Sequence, residues 1–312
     1  MKISVVGLGK LGLPIYQVLK KNGYKVKGID KNKPPMKFDK LGFITFVVVP
    51  TPSDEQGKFT SEYVENVLKN IHTPQIVSIV STLYPGETDR LQKKYSHLTL
   101  VYNPTFVALG TVAYDFTHPD FILIGSNNIG ATELLKSIFR IICKNPKFCI
   151  LTPLEAEIAK LSVNCYITTK ITYANQIGNL CYQLGIKPDR ILETVGSDHR
   201  IGKDYFKAGL GYGGPCFPRD NIALSKYFAD NHTDPSLFKL INDLNHWQVE
   251  KMVQRILKMN HKTVGFKSLS YKEGTDCQEQ SQLLMIHDWL KKIGVKVKKG
   301  KGDVNLSWGG IE

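Results

Sequence analysis

The opening run KISVV (residues 2–6) is followed at once by Gly7-Leu8-Gly9-Lys10-Leu11-Gly12 and then by LPIYQVLKKNG, which has helical apolar spacing and ends at Gly23. A GxGxxG pattern between a strand and a helix constrains this chain more than any other feature. The first glycine makes a tight turn, the second lets backbone approach a pyrophosphate, and the third lets helix and strand pack closely. The helix start then offers N–H groups and a positive dipole end to phosphate. Asp30 closes the next strand-like run, YKVKGID, eighteen residues after Gly12. A carboxylate there accepts hydrogen bonds from ribose hydroxyls and repels a 2′-phosphate. The pattern predicts a dinucleotide-binding fold with NAD favoured over NADP. Lys31 and Lys33 work against that preference. A glycine-rich turn in an α/β protein that no longer holds a ligand would look similar.

The following residues extend the same architecture. GFITFVVVP (42–50), IVSIVST (76–82), LTLVYN (98–103) and FILIGS (121–126) read as strands, and SEYVENVLKNI (61–71) and ATELLKSIFRII (131–142) as helices. Such alternation predicts an α/β, Rossmann-like domain over 1–150, a parallel sheet with helices on both faces. From 154 to 185 the chain runs without proline at helical spacing, and KPDRILETVG, NIALSKYFAD and residues 235–259 are helical too. We expect a helical middle domain over 151–260. A strand (KTVGF), a helix (SQLLMIHDWLKKIG) and a strand (VKVKK) form a small α/β unit over 261–312, with a lysine-rich tail.

Composition narrows the function classes. Met1 leads directly into an apolar strand with no small-residue cleavage site, and the longest apolar run, FITFVVVP, is too short to span a bilayer. We expect a cytoplasmic protein with no membrane contact. The six cysteines show no CxxC spacing, against a zinc site or a disulfide framework, and no metal is expected. Most read as small buried hydrophobes. The net charge of +13 fits a solvated lysine-rich surface or a field that speeds the encounter of small anions. No nucleic-acid motif accompanies it.

GLGYGGPCFPRD (209–220) places Cys216 just ahead of Pro218 and Asp220, which suit the first turn of a helix. A thiol near a helix N-terminus has its thiolate favoured and can act as a nucleophile. Lys160 and Asn164, four apart in the long central helix, share one face.

Together GLGKLG (7–12), VVVPTP (47–52), STLYPGET (81–88), AEIAKLSVN (156–164), SDHRIG (197–202), GLGYGGPCFPRD (209–220) and YKEGTD (271–276) resemble the UDP-glucose/GDP-mannose dehydrogenase family. Its members oxidise the C6 hydroxyl of a nucleotide sugar to a carboxylate with two NAD. The resemblance implies that Cys216 is the nucleophile that forms a thiohemiacetal and then a thioester. It implies that Lys160 stabilises a developing alkoxide, that Asn164 holds substrate or water, and that Asp220 with Thr82 orients water. NAD would lie on Gly7, Gly9, Lys10, Leu11, Gly12, Asp30, Pro50, Thr51 and Thr82. Lys160, Asn164, Lys207, Tyr212, Gly213 and Lys272 would meet the sugar nucleotide. Arg200 would reach the substrate of a neighbouring subunit in a homodimer packed through the middle helices.

Departures from the family pattern are also plain. PEFLREG, which carries the general base for thioester hydrolysis, is replaced by Asn103-Pro104-Thr105-Phe106-Val107-Ala108-Leu109-Gly110, so Thr105 and Leu109 stand where glutamates are expected. Neither accepts a proton near neutral pH. Glu279 takes the place of an arginine in TDDxRES, and Arg219 that of a lysine. About twenty residues separate Asp30 from Pro50-Thr51-Pro52, and we expect a truncated third domain over 261–312. The expected activity is NAD-dependent oxidation of UDP-glucose to UDP-glucuronate for polysaccharide biosynthesis. Three alternatives are a partial enzyme stalled at the thioester, a non-catalytic binder of NAD or sugar nucleotide, and a β-hydroxyacid-type dehydrogenase.

Overall fold

The computed structural model describes residues 1–32, 38–259 and 261–312; Lys33, weighed above beside Asp30, lies outside them. The chain divides into two compact units, Met1–Lys160 and Leu161–Glu312.

In the first unit the elements run β1 (Lys2–Val6), α1 (Gly12–Lys21), β2 (Lys25–Ile29), β3 (Ile44–Val47), α2 (Glu62–Lys69), β4 (Ile76–Ile79), α3 (Glu87–Lys94), β5 (Thr99–Tyr102), α4 (Val112–Thr117), β6 (Ile122–Gly125), α5 (Ile129–Ile142) and β7 (Phe148–Leu151). They build a seven-stranded sheet in the order β2-β1-β3-β4-β5-β6-β7. All pairs are parallel except β5 with β6. Side chains alternate across this sheet, as the period of a strand requires. Ile3, Val5, Ile44, Phe46, Val101, Ile122 and Ile124 join α1 and α5 in one apolar cluster. Val6, Val47, Val77, Ile79, Leu100 and Leu123 join α2 and α3 in the other. Both faces are covered, which is why the strands carry near-continuous apolar runs.

Three elements here escape sequence reading. α3, ETDRLQKK, is mostly charged and buries Leu91 as its one large apolar side chain. α4 has only six residues. β7, FCIL, is apolar throughout but only four residues long, too short for its period to separate a strand from a helical segment.

The helix α6 (Pro153–Gln183) starts in the first unit and continues into the second. The second unit adds α7 (Asp189–Gly196), α8 (Phe217–Asp230), α9 (Ser236–Leu257), β8 (Thr263–Phe266), α10 (Gln282–Lys292), β9 (Lys296–Lys299), β10 (Val304–Ser307) and β11 (Gly310–Ile311). The lysine-rich tail expected after β9 is therefore corrected: the last ten residues contribute two strands. The sheet is four-stranded, ordered β11-β10-β8-β9. Its core joins Met252 and Ile256 of α9, Val264 and Phe266 of β8, Ile286 and Leu290 of α10, and Val304 and Leu306 of β10. β9 and β10 flank β8 and both run parallel to it. Only four residues, 300–303, link them. That link crosses directly over β8: a Cβ on Gly265 would lie 2.3 Å from the Gly300 carbonyl oxygen and 2.3 Å from the Gly302 nitrogen. Glycine is required there by backbone-on-backbone contact. The outer strand β9, KVKK, is largely exposed, and lysines on an edge strand discourage pairing with another chain. Among the described residues no helix is long and apolar enough to cross a membrane.

Candidate active site

Sheet order in the first unit reverses between β1 and β3, and open α/β sheets bind ligands beyond the carboxyl ends of strands at such a point. Gly7, the first residue after β1, has φ +90°, and a Cβ there would stand 2.1 Å from the Val48 carbonyl oxygen. A Cβ on Gly12 would stand 1.8 Å from the Gly7 carbonyl oxygen. Gly9 differs: a Cβ there meets nothing within 4 Å, so this turn opens onto free space. Two glycines thus serve packing and the middle one leaves room, the arrangement a pyrophosphate needs. Leu11 is the N-cap of α1, whose first turn carries no acid to compete with phosphate for the helix dipole. Lys10 is exposed beside it. Asp30 follows β2 and accepts from the Leu8 amide at 2.6 Å and the Asn32 amide at 2.8 Å, which fixes its carboxylate against the glycine turn. Pro50 is exposed, while Thr51 is buried and donates to the Thr82 carbonyl at 2.7 Å. The residues present fit a dinucleotide.

Lys160 is the last residue of this unit and 7% exposed. Its ammonium donates to the Thr105 carbonyl at 3.0 Å and lies 4.4 Å from the Phe106 ring centroid. The segment that carries Thr105 therefore holds the lysine by backbone and ring. One turn earlier on α6, Glu157 is fully buried. It accepts from the Gly86 amide at 2.6 Å, the Thr88 amide at 2.8 Å and the Thr88 hydroxyl at 2.6 Å. Burial pushes its carboxyl up to about 7, against the pull of these donors. Sequence reading passed over Glu157; the available signal was a lone carboxylate inside the apolar spacing of AEIAKLSVN.

The second unit presents the thiol. Cys216 is exposed and occupies the N-cap position of α8, with Pro218 at the second helical position and Asp220 in the first turn. The glycine loop before it packs tightly. A Cβ on Gly211 would meet the Asn245 side-chain oxygen at 2.1 Å, and one on Gly213 the Gln280 carbonyl oxygen at 2.2 Å. Gly214, at φ +83°, lies under the Tyr271 ring and donates to the Glu279 carbonyl at 2.9 Å. The Tyr271 phenol is pushed up to about 12, by burial first and then by Cys216, Cys277 and Tyr205.

Beneath the thiol, Asn164 donates to Asp220 at 2.6 Å, and both are buried. Thr168 and Asn221 join α6 to α8 one turn further on, with the Asn221 amide donating to the Thr168 hydroxyl at 2.8 Å. Cys165, buried in the same layer, has its thiol pushed far up by burial and then by the Asp220 charge. It is chemically quiet, as is Cys143, pushed up to about 11 by burial. Three of the six cysteines are buried, fewer than the majority expected; Cys149 and Cys216 are exposed and Cys277 is half-buried.

Tyr212 is buried and its hydroxyl donates to Asn242 at 2.6 Å. Arg200 is exposed and forms a two-pronged pair with Asp198, Nε to Oδ1 at 3.0 Å and Nη2 to Oδ2 at 2.6 Å. Lys207 is exposed, and Lys272 is half-buried 5.9 Å from the Tyr271 ring centroid.

Comparison with known proteins agrees with this fold. The sequence model described as the UDP-glucose/GDP-mannose dehydrogenase family, NAD binding domain, matches residues 37–143, and that of the family's central domain matches 154–247. The UDP-glucose 6-dehydrogenase of Rickettsia prowazekii is 30% identical over 95% of this chain and 72% of its own length. That of Rickettsia felis is 29% identical over 95% and 70%. The structure of a UDP-glucose dehydrogenase from the hyperthermophilic archaeon Pyrobaculum islandicum superposes with a TM-score of 0.84 at 26% identity, covering 96% of this chain and 81% of that one. The NAD-binding domain, the Rossmann-like sheet and this kinship agree, and the chain belongs to the UDP-glucose/GDP-mannose dehydrogenase family of NAD-dependent nucleotide-sugar dehydrogenases.

Proposed function

We propose that this chain oxidises the C6 hydroxyl of a nucleotide sugar, UDP-glucose in the first place, to the carboxylate through a thioester on Cys216. The carrying observation is the position of Cys216, exposed at the start of α8 in the motif where the family keeps its nucleophile. NAD, when bound, supplies the acceptor for the two hydrides lost by the sugar carbon.

The residues then divide the work. The Cys216 sulfur adds to the sugar aldehyde; a C–S bond forms and the carbonyl oxygen takes a proton, giving a thiohemiacetal. Loss of a hydride and that proton leaves a thioester. Water adds to its carbonyl, the C–S bond breaks, and the acid and free thiol result. Lys160 steadies the alkoxide and oxyanion stages as a fixed positive charge. Asp220, held by Asn164, orients the attacking water with Thr82. Lys207, Lys272 and, from a second copy, Arg200 offer cations to the sugar nucleotide; Tyr212 and Gly213 shape its edge. The division into 1–150 for NAD, 151–260 for the thiol loop and 261–312 for the sugar nucleotide follows from these roles.

Thr105 favours a second reading, in which turnover slows or stops at the thioester. A threonine carbonyl on Lys160 supplies no base for the water. Purified protein given NAD and, separately, UDP-glucose, GDP-mannose, UDP-amino sugars and a 3-hydroxy acid is expected to form NADH with UDP-glucose fastest. NADH from the hydroxy acid alone, or from none of them, overturns the proposal.

A homodimer is part of the same proposal. Tyr166, Tyr173 and Leu180, seven apart along α6, are 62%, 54% and 56% exposed and form one apolar stripe. Light scattering on a sizing column is expected to give twice the chain mass of 35.1 kDa, and Tyr173→Glu to shift it to one. A monomer in the unaltered protein contradicts this.

A further inference from the structure

Beyond the groups already given roles, one buried ionisable side chain joins two motifs. Glu157 lies on the first turns of α6 and is fully buried, yet the hydrogen bonds from the Gly86 amide and from the Thr88 amide and hydroxyl all reach it from another element, the start of α3. Gly86, the N-cap of α3, has φ +94° and no side chain with which to cap. Glu157 reaches in from α6 and supplies the missing acceptor, satisfying the Gly86 and Thr88 amides. The turn it grips is STLYPGET. Thr82 sits four residues before Gly86, and its carbonyl in turn accepts from Thr51. Lys160 stands three residues after Glu157 on the same helix.

We infer that Glu157 is a positioning residue: its buried carboxylate ties the turn carrying Thr82 to the helical turn carrying Lys160, and so sets the placement of both groups within the first unit. The inference rests on the function proposed above for its kinetic readout and on the hydrogen bonds alone for its structural one. Both residues are assigned to the reacting centre, where small displacements cost rate more than affinity.

The surroundings define how the tether responds to pH. Asp89 on α3 faces Glu157 and adds to the upward push of burial, while the Thr88 and Gly86 donors pull the other way. Glu87 of α3 turns aside to Ser61 at 2.7 Å and to Arg90. Lys160 on its own helix is engaged by the Thr105 carbonyl. With a carboxyl near 7, the ionised acceptor dominates above neutrality. Below it, protonation turns the oxygen facing Gly86 into a weaker, neutral acceptor. Turnover is therefore highest above about pH 7 and falls on acidification.

The test compares the unaltered chain with Glu157→Gln and Thr88→Val for kcat and KM across pH 6 to 8.5, with hydrogen exchange at the Gly86 and Thr88 amides. Glu157→Gln is expected to lose about 10- to 100-fold in kcat with KM for the nucleotide sugar little changed, and to lose the acid limb near pH 7. The two amides should exchange faster. Thr88→Val removes one donor that favours the ionised form, so its acid limb should move to higher pH; this arm decides the matter if Glu157→Gln does not fold. A Glu157→Gln protein with unaltered kcat and pH profile, or a Thr88→Val limb that stays in place, overturns the inference. If the unaltered chain turns over no nucleotide sugar, the functional proposal fails by itself. The tether is then judged on exchange, and unchanged rates at Gly86 and Thr88 in Glu157→Gln overturn it.

Discussion

Replacing Cys216 by alanine is expected to abolish acid formation, a fall of about 10⁴-fold or more, because no other group in the chain is assigned to hold the sugar as a thioester. The loss should not come from unfolding. Cys216 is exposed and its side chain makes no capping hydrogen bond to α8, so stability should change by no more than about 0.5 kcal/mol. The first oxidation, alcohol to aldehyde, does not need the sulfur. The variant should therefore retain slow NADH formation limited to one per sugar, with aldehyde as the product. Cys165 cannot substitute, since its thiol is buried and held protonated beside Asp220. Chromatography of the sugar nucleotide after full reaction checks the expectation; an unchanged acid yield removes Cys216 from the mechanism.

Lys160→Met carries the second large effect. Methionine keeps the length of the stem over the Phe106 ring and removes only the charge and its hydrogen bonds. A fixed cation aimed at an oxygen that becomes negative is worth about 10²- to 10³-fold in kcat in a water-poor site. The Thr105 carbonyl loses its donor, which costs about 1–3 kcal/mol if no water replaces it. A melting curve and steady-state rates together separate the two outcomes. A large loss of kcat in a folded protein supports the assigned role, and a kcat within about threefold of the unaltered chain contradicts it.

Much of this architecture was written in local pattern. Gly7, Gly9 and Gly12 with Asp30 announce the nucleotide turn because a pyrophosphate site depends on backbone shape, which glycine spacing records directly. The buried strands β1, β3 and β6 announce themselves because both faces are covered and most of their residues are apolar. α3 and β7 do not, since one is mostly polar and the other only four residues long. β10 and β11 escape because VNLS and a two-residue strand are too short for a period, and the pairing of β10 with β8 is non-local. The same limit hid Glu157. Its partners lie about seventy residues away at Gly86 and Thr88, and nothing in AEIAKLSVN indicates where its carboxylate goes. The bond between Asn164 and Asp220 was likewise invisible, although both residues stood in quoted motifs. Motifs name the residues, and only the fold shows which of them hold each other.

Thr105 bears on how the cycle ends. With threonine in place of a carboxylate there, both oxidations are expected to proceed and thioester hydrolysis to be the slow step. The most direct measurement is the intact mass of the protein, sampled while NAD and limiting UDP-glucose react, with peptide mapping of any adduct and NADH counted in the same tube. Up to two NADH per sugar are expected, with a transient acyl adduct on Cys216 that decays to free thiol and acid. NADH formation with no adduct on Cys216 at any time, and equal acid yield from Cys216→Ala, would contradict it.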